Sequence, residues 1–500
     1  MTREELEQCL RILETLVEDR RGLAELDLET RNRFLTAAGR LSRPERTEQR
    51  LLARELGRRR RRADKAADEA ALSQAGIRKL REQPVFITPE PLLRAAVESG
   101  SAEASDEPPG WEAPELRAAR SCYVCKAPRD RLHFFYDHLC LSCGDFNYRK
   151  RTQTADLRGR TALVSGARVK IGYQAGILLL RAGARVVVTT RFPRDAALRY
   201  SREPDFESFR DRLVVYGLDL RHTPSVEAFA RHLTESEPRL DFVIHNACQT
   251  VRRPAGFYRH LLDVELGSAA ALPPAAAELV HRYERLRAPA LPSGEESSAT
   301  RGVVSPDALG IHAAAALSQA ALTPEDADFC PTLFPEGQLD QDLQQVDLRE
   351  VNSWRLPLDR VGTVELLEVQ LVNAIAPFVL NARLRPLLAR ERTFDKHIVN
   401  VSAMEGQFYR RFKTDKHPHT NMAKAALNMM TRTSAADYAR DGIYMNSVDT
   451  GWVTDEDPAA VARRKAEETG FTPPLDIVDG AARICDPIFD GINTGNHRYG

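Results

Sequence analysis

Residues 160–191, RTALVSGARVKIGYQAGILLLRAGARVVVTTR, constrain the fold more than any other stretch. An apolar run, Ala162-Leu163-Val164, leads into the turn Ser165-Gly166-Ala167-Arg168-Val169-Lys170-Ile171-Gly172. A helix-length segment follows over 173–181. Gly183 closes it, and a β-branched run over 186–190 ends at Arg191. The order is strand, glycine turn, helix, strand, which is one βαβ unit. Glycines in such a turn let the backbone approach a pyrophosphate, and the helix N-terminus favours its negative charge.

The alternation continues. Residues 213–216 read as a third strand ending in Gly217-Leu218-Asp219, and 226–233 as a helix. A fourth strand over 241–244 runs into His245-Asn246-Ala247-Cys248. The pattern returns with a long helix over 364–388, a fifth strand over 397–401 followed by Ser402, a helix over 421–440 and a sixth strand over 444–448. Strands alternating with helices predict an α/β domain over 157–500, a doubly wound Rossmann-type parallel sheet. The break at about 252–360 is an insertion leaving the carboxyl end of a strand, and its middle, 268–320, is rich in Ala, Pro and Ser. An insertion of this length is functional or disordered. Its ends are expected to roof the site around a mobile middle.

Three segments precede the sheet. Residues 1–83 form a helical arm, in which Leu6, Leu10, Leu13 and Val17, then Leu51, Leu52 and Leu56, recur at helical spacing, with Pro44 as a break. Arg58–Arg62 is an unbroken arginine run within it. Residues 84–120 form a linker. Ser99, Ser101 and Ser105 with Asp106-Glu107-Pro108-Pro109-Gly110 offer too little apolar area to order. Residues 121–150 form a small unit, in which Cys122-x-x-Cys125 and Cys140-x-x-Cys143, fourteen residues apart, have zinc-site spacing. Two CxxC turns complete a tetrahedron around a structural Zn²⁺, and Phe134, Phe135 and Tyr136 supply a core too small to hold without metal. His133 and His138 are alternative ligands, read here as surface histidines.

The totals narrow the function classes. Lys+Arg and Asp+Glu both number 71, so no overall field points to nucleic acid. No apolar stretch is read as reaching the ~18–20 residues that span a bilayer, and the N-terminus lacks the build of a signal peptide. Eight cysteines are too sparse for a disulfide scaffold, and the CxxC pairs suit a reducing cytoplasm.

At this point the residues resemble the short-chain dehydrogenase/reductase family, over 157–454 apart from the insertion. The family's members are Rossmann-fold enzymes that pass hydride between a nicotinamide cofactor and a carbonyl or alcohol. By that resemblance Gly166, Arg168, Lys170, Ile171 and Gly172 form the glycine-rich turn, Asp219 meets the adenine amine, and Asn246-Ala247 match the NNAG strand end. Asn373 resembles the catalytic asparagine, Ser402 the catalytic serine and Lys424 the catalytic lysine that also holds the ribose. Gly451, Val453 and Thr454 resemble the loop that holds the carboxamide. The physics agrees: Ser402 can donate to the charge that develops on a carbonyl oxygen, and the Lys424 charge depresses a neighbouring acid's pKa. Thr190 stands where a carboxylate would repel a 2′-phosphate, and Arg191 can pair with one, so NADP is expected in preference to NAD.

The departures are as informative. The family's Tyr-x-x-x-Lys has Thr420 in place of tyrosine, and a threonine hydroxyl is too weak an acid for the task. Lys170 occupies the middle glycine, Cys248 the last residue of NNAG, and Thr450 the usual proline. The chain stops at Gly500, where the family's last strand would complete the sheet, so that strand is expected to be short or missing. The loop over 404–419 offers Tyr409, His417 and His419 as substitute proton donors. The expectation is an atypical, cytoplasmic NADP-dependent oxidoreductase acting on a carbonyl or alcohol. The alternative is a catalytically silent nucleotide-binding sensor or scaffold working through the arm and zinc unit. A nucleic-acid adaptor using Arg58–Arg62 is the weakest of the three. A protein partner for 1–82 or for the zinc unit is expected, as is a homodimer through the 364–388 and 421–440 helices.

Overall fold

A computed structural model describes residues 2–90, 108, 110–287, 306–327, 332–409 and 413–500. Most of the expected linker (91–107 and 109) and the stretch 288–305 expected as a mobile middle therefore lie outside the described residues. The chain forms two compact units, 1–70 with Leu116–Ala118, and 71–115 with 119–500.

The first unit is helical. Helix α1 (Arg3–Glu18) starts at a capping box in which Thr2 accepts the Glu5 N–H and the Glu5 carboxylate accepts the Thr2 N–H. Asp27 caps α2 (Leu28–Ser42) through the Thr30 N–H. Pro44 separates α2 from α3 (Arg46–Leu72), since its ring cannot continue a helix. No residue of α1 or α2 is buried, and Leu6, Leu10, Val17, Leu51, Leu52 and Leu56 face solvent. The arginine run is exposed on α3, with only long ion pairs such as Arg58–Glu55 at 3.5 Å.

The second unit opens with α4 (Gly76–Glu82), the ends of strand β1 (Glu115–Ser121), whose Leu116–Ala118 counts with the first unit, strand β2 (Pro128–Arg131), which pairs with β1 antiparallel, and α5 (Leu141–Arg151). Strand β1 lies in what the sequence suggests is a linker. Its polar run has no periodicity of its own and orders by pairing with β2. The main sheet follows: β3 (Thr161–Ser165), α6 (Lys170–Arg181), β4 (Arg185–Thr190), α7 (Pro193–Tyr200), β5 (Leu213–Gly217), α8 (Thr223–Ser236) and β6 (Phe242–His245). The insertion contributes α9 (Arg259–Leu266), α10 (Pro274–Arg287) and single turns α11 (Leu309–His312), α12 (Ala314–Leu317) and α13 (Pro324–Ala327). Then come α14 (Thr363–Gln370), α15 (Ala376–Leu388), β7 (Lys396–Ser402), α16 (Pro418–Ala439), β8 (Ile443–Asp449), α17 (Ala459–Thr469) and α18 (Ile477–Thr494).

The six strands pair in parallel in the order β5-β4-β3-β6-β7-β8. Every residue of β3, β5, β6 and β7 is buried, as expected of a parallel sheet covered on both faces. Helix α6 packs against α18, and α8 against α15. The strand order reverses between β3 and β6, which opens a crevice at their carboxyl ends. No strand follows β8 among the described residues. Instead the tail lies beside β8, with the Gly500 N–H on Met445 O and Asn446 Nδ2 on Arg498 O.

Two expectations need correction. The stretch 268–320 contains an ordered helix: Ala276, Leu279, Val280 and Tyr283 of α10 are buried on one face, and the helix packs on β5. The Thr363–Leu388 stretch is long and apolar enough to cross a membrane by length and composition. Here Val369, Leu380, Leu384, Leu387 and Leu388 are buried in the protein, which is the part a core helix plays. A π-turn, Leu371–Ile375, separates α14 from α15. Pro377 offers no N–H to the Asn373 carbonyl, so the ladder widens there.

Candidate active site

A cleft of about 930 Å³ opens at the carboxyl ends of the strands. Its floor is the turn between β3 and α6. Gly166 has φ +68°, and a Cβ there would lie 2.6 Å from Ala247 Cα. A side chain on Gly172 would run into Asn246 and the Gly166 carbonyl. Both glycines are therefore required for the turn to lie this close to the end of β6. Asn246 braces it, donating from Nδ2 to Gly166 O at 3.0 Å, and the Ala247 N–H reaches Ser165 Oγ at 3.2 Å. Ile171 packs against the core. Lys170 holds φ +56°, a left-handed conformation that costs a lysine about 1–2 kcal/mol. Burial opposes its charge, but Glu456, Asp342 and Asp340 hold the ammonium above its usual pKa.

The basic groups of this end are not equivalent. Arg168 is committed, with Nη1 donating to Asp195 at 2.7 Å and Nη2 to Gln344 at 3.1 Å. Arg191 lies at the end of β4, its guanidinium 4.7 Å from the Tyr258 ring centre and Nη2 2.7 Å from the Tyr258 hydroxyl. Among the described residues no carboxylate forms a close ion pair with it, although its charge helps to hold the Asp219 carboxyl low. Asp219 is occupied. Its carboxylate accepts the Arg221 N–H at 3.0 Å and the Arg221 guanidinium at 2.7 Å. Burial would raise the Asp219 carboxyl, but Arg221 holds it below the usual range.

At the other end, Ser402 and Lys424 meet. Both are buried, both line the cleft, and Ser402 Oγ donates to Lys424 O at 3.4 Å. Lys424 Nζ donates to Val401 O at 2.7 Å. Their neighbours differ from expectation. Asn373 is buried away from the cleft, where its amide clamps the Gln249 backbone, Oδ1 accepting at 2.7 Å and Nδ2 donating at 3.1 Å. Thr420 is buried, its Oγ1 makes no hydrogen bond, and it does not line the cleft. His419 is buried beside Glu365, Nε2 to Oε1 3.7 Å. Tyr409 is 87% exposed and stands clear of the cleft.

The side chains that do face the cleft from α16 are Asn421 and His417, its N-cap. His417, Asn421 and Lys424 follow at i, i+4 and i+7, the spacing of one helix face. That spacing was visible in the sequence, whereas the family's i, i+4 pattern points to Thr420. His417 has φ +43° and stacks on Trp354, ring centres 3.8 Å apart and planes 1° apart. Its Nδ1 has no hydrogen-bonding partner. Burial lowers its pKa, against Glu405 and Asn421, which favour the charged form. Gly451, Val453 and Thr454 line the cleft in the loop after β8, where Thr454 donates to Glu456 at 2.8 Å.

The four cysteines cluster. The Sγ atoms of Cys122, Cys125, Cys140 and Cys143 all lie within 4.8 Å of one another, and the Cys125–Cys140 pair is 3.7 Å apart. Tetrahedral zinc with bonds of about 2.3 Å requires sulfur–sulfur edges of about 3.8 Å, whereas a disulfide requires about 2.05 Å. The donor set and spacing fit a closed metal site. His133 is not the surface residue expected. It is buried, and its Nδ1 accepts the Phe135 N–H at 3.0 Å. Nor is the aromatic core isolated: the Tyr136 hydroxyl bonds Asp479 of α18 at 2.5 Å, and Arg151 bonds Asp476 at 2.5 Å. Burial and the neighbouring Asp476 push the Asp479 carboxyl up to about 6.

Residues 357–471 match a family model described as enoyl-(acyl carrier protein) reductase. An uncharacterised protein of Acanthamoeba polyphaga mimivirus is 30% identical over 383 residues, covering 74% of this chain and 71% of the relative. Dehydrogenase/reductase SDR family member 13 of Bos taurus is 42% identical over 104 residues, 20% of this chain. The match spans only 27% of that relative's length. A short-chain dehydrogenase of Burkholderia cenocepacia, solved with NADP, is 16% identical, with a TM-score of 0.41, covering 69% of this chain and 96% of that one.

Proposed function

We propose that the chain is an atypical NADP-dependent member of the short-chain dehydrogenase/reductase family, an oxidoreductase acting on an alcohol or carbonyl. One observation carries the reading: Ser402 and Lys424 converge on the cleft whose floor is the glycine turn. Gly166 and Gly172 let the turn close onto the end of β6 at the floor of the cleft, Lys170 places positive charge at the turn, and Arg191 lines the cleft as the cation for a 2′-phosphate. When bound, the nicotinamide supplies hydride chemistry. Ser402 donates to the substrate oxygen, where charge develops. Lys424 holds the ribose and keeps the site positive. His417 takes the place of the family's tyrosine: burial lowers its pKa, so its imidazole is neutral near neutral pH and serves as the base for the alcohol proton as the C–H hydride leaves. Four relatives, each matched over about a fifth of this chain, are named retinol dehydrogenases, which agrees with this substrate class.

The four-cysteine cluster holds a structural Zn²⁺ in this reading, and the arm is a partner-docking element of a cytoplasmic protein. Leu367, Ile375, Phe378, Met422 and Met429 are exposed on α14–α16, which supports a homodimer through those helices. The test is turnover. Wild-type protein should bind NADPH and consume it, or form it from NADP⁺, with a member of an alcohol and aldehyde panel. Ser402→Ala should lower kcat roughly 10²–10³-fold with NADPH affinity unchanged. A second reading, binding without turnover, draws on Lys424 Nζ being held by Val401 O and on the absent phenol at 420. Tight NADPH binding with no turnover across the panel would establish that reading and sink the first.

A further inference from the structure

Tyr123 lies between two of the clustered cysteines and also lines the cleft. Its N–H is bonded within the cysteine unit, to His138 O at 2.9 Å. Its side chain points the other way, where its hydroxyl accepts the Trp452 N–H at 2.9 Å. Trp452 belongs to the loop that leaves β8 at Asp449. The loop is pressed against this contact: Gly451 has φ +73°, and a Cβ there would come within 3.2 Å of the Tyr123 hydroxyl and 2.7 Å of Leu475. Its other backbone ties include Gly451 N–H to Asp449 Oδ1 at 2.9 Å and Leu475 N–H to Trp452 O at 3.3 Å. The cysteine unit also holds the chain where it returns from α17, with His138 Nε2 3.3 Å from Thr472 Oγ1.

We propose that Tyr123 is a positioning residue through which metal in the four-cysteine unit sets the loop 449–454, and so sets affinity for the nicotinamide half of the cofactor. This rests on the dinucleotide and zinc readings above. A dinucleotide straddles the switch point between β3 and β6. Its adenosine half lies toward Arg191 at β4, and its other half toward Ser402 and the loop after β8. Metal neutralises four crowded thiolates and fixes both CxxC turns, and with them the Tyr123 ring. Without metal the turns spread, the Trp452 N–H loses its acceptor, and the loop must be ordered at the cost of binding.

The experiment uses the full chain. Metal content is measured by mass spectrometry. Two probes are titrated, NADPH and 2′,5′-ADP, the second filling only the adenosine half. The samples are wild type, Tyr123→Phe, and each protein stripped by a zinc chelator. Tyr123→Phe should retain one equivalent of zinc and bind 2′,5′-ADP like wild type. It should bind NADPH about 3–10-fold more weakly, the value of one hydrogen bond. Stripping wild type should weaken NADPH at least as much, zinc should restore it, and Tyr123→Phe should add nothing in stripped protein. Equal NADPH affinity in all samples overturns the proposal, and so does a parallel loss of both probes, which would mark general unfolding. Wild-type protein that binds neither probe overturns the dinucleotide reading, and one that holds no metal overturns the zinc reading. Each result takes the proposal with it, and the metal measurement tells the two apart.

Discussion

At the β4 end of the cleft, the glycine turn, Thr190 and Arg191 stand on one βαβ unit, with backbone set by adjacent strands. At the β7–β8 end, Ser402 stands on a strand, and most of its partners do not. Lys424 and Asn421 come from α16, His417 from its left-handed N-cap, Trp354 from the insertion, and Tyr123 from the cysteine unit. The first end is regular and family-like, and the second is assembled from distant pieces. The difference teaches how the two ends are held: the glycine-turn end is fixed by one local unit, whereas the Ser402 end depends on segments far apart in the chain agreeing in space.

The largest expected effect strikes the second end. His417→Phe keeps a ring to stack on Trp354 but removes Nδ1, and should cut kcat about 10²–10⁴-fold while leaving 2′,5′-ADP binding intact. The pH profile sharpens the point. The His417 pKa is lowered from 6.5 by burial, against Glu405 and Asn421, which raise it, and with His419 lowering it further. The base is thus neutral and active above that lowered value, and alcohol oxidation should fall away only at a pH below 6.5. An acid limb at or above 6.5 that survives His417→Phe would assign the proton to another group.

A smaller effect tests the regular end. Arg191→Ala should weaken NADPH about 10–100-fold, the range of a charge-assisted hydrogen bond, and change NADH little. Equal losses for the two cofactors would mean that Arg191 serves the fold through Tyr258 and not the 2′-phosphate.

This contrast also governs what the sequence disclosed. The sheet was legible because each strand is a β-branched or apolar run between turn residues, and full burial on both faces leaves little freedom in such runs. The glycine turn was legible because its constraints lie within a few residues. The proton-handling group was legible only as a choice among Tyr409, His417 and His419. A family pattern drew attention to Thr420, but helix phase turns Thr420 and His419 inward and presents His417 and Asn421. Tyr123 and Trp452 are far apart in the chain, so no local pattern links them. Helix α10 was missed for another reason: the Ala- and Pro-rich composition around it masked the spacing of Ala276, Leu279, Val280 and Tyr283.

The smallest effect concerns the support beneath Arg191. Glu265 of α9 accepts the Asp195 N–H at 2.8 Å and the Arg194 N–H at 3.3 Å, so the insertion fixes the start of α7, just past Arg191. Burial pushes the Glu265 carboxyl up to about 7, with the two N–H groups and Arg168 opposing and Asp195 adding to the rise. The sign follows from the raised value. The folded state holds a proton that the unfolded chain releases near 4.5, so this stabilisation is complete below about 4.5 and is lost as pH rises through about 7. Glu265→Gln keeps an acceptor and removes the titration. Its melting temperature should therefore be less steep in pH between 4.5 and 7 than that of wild type, by the equivalent of at most about 3 kcal/mol, about 3 °C or less. The NADPH affinity of the variant should stay flat over the same range. An unchanged slope would mean that Glu265 is already ionised at pH 5 and that the β4 end owes nothing to a proton. The comparison would then be sharper still, with the pH dependence confined to the His417 end.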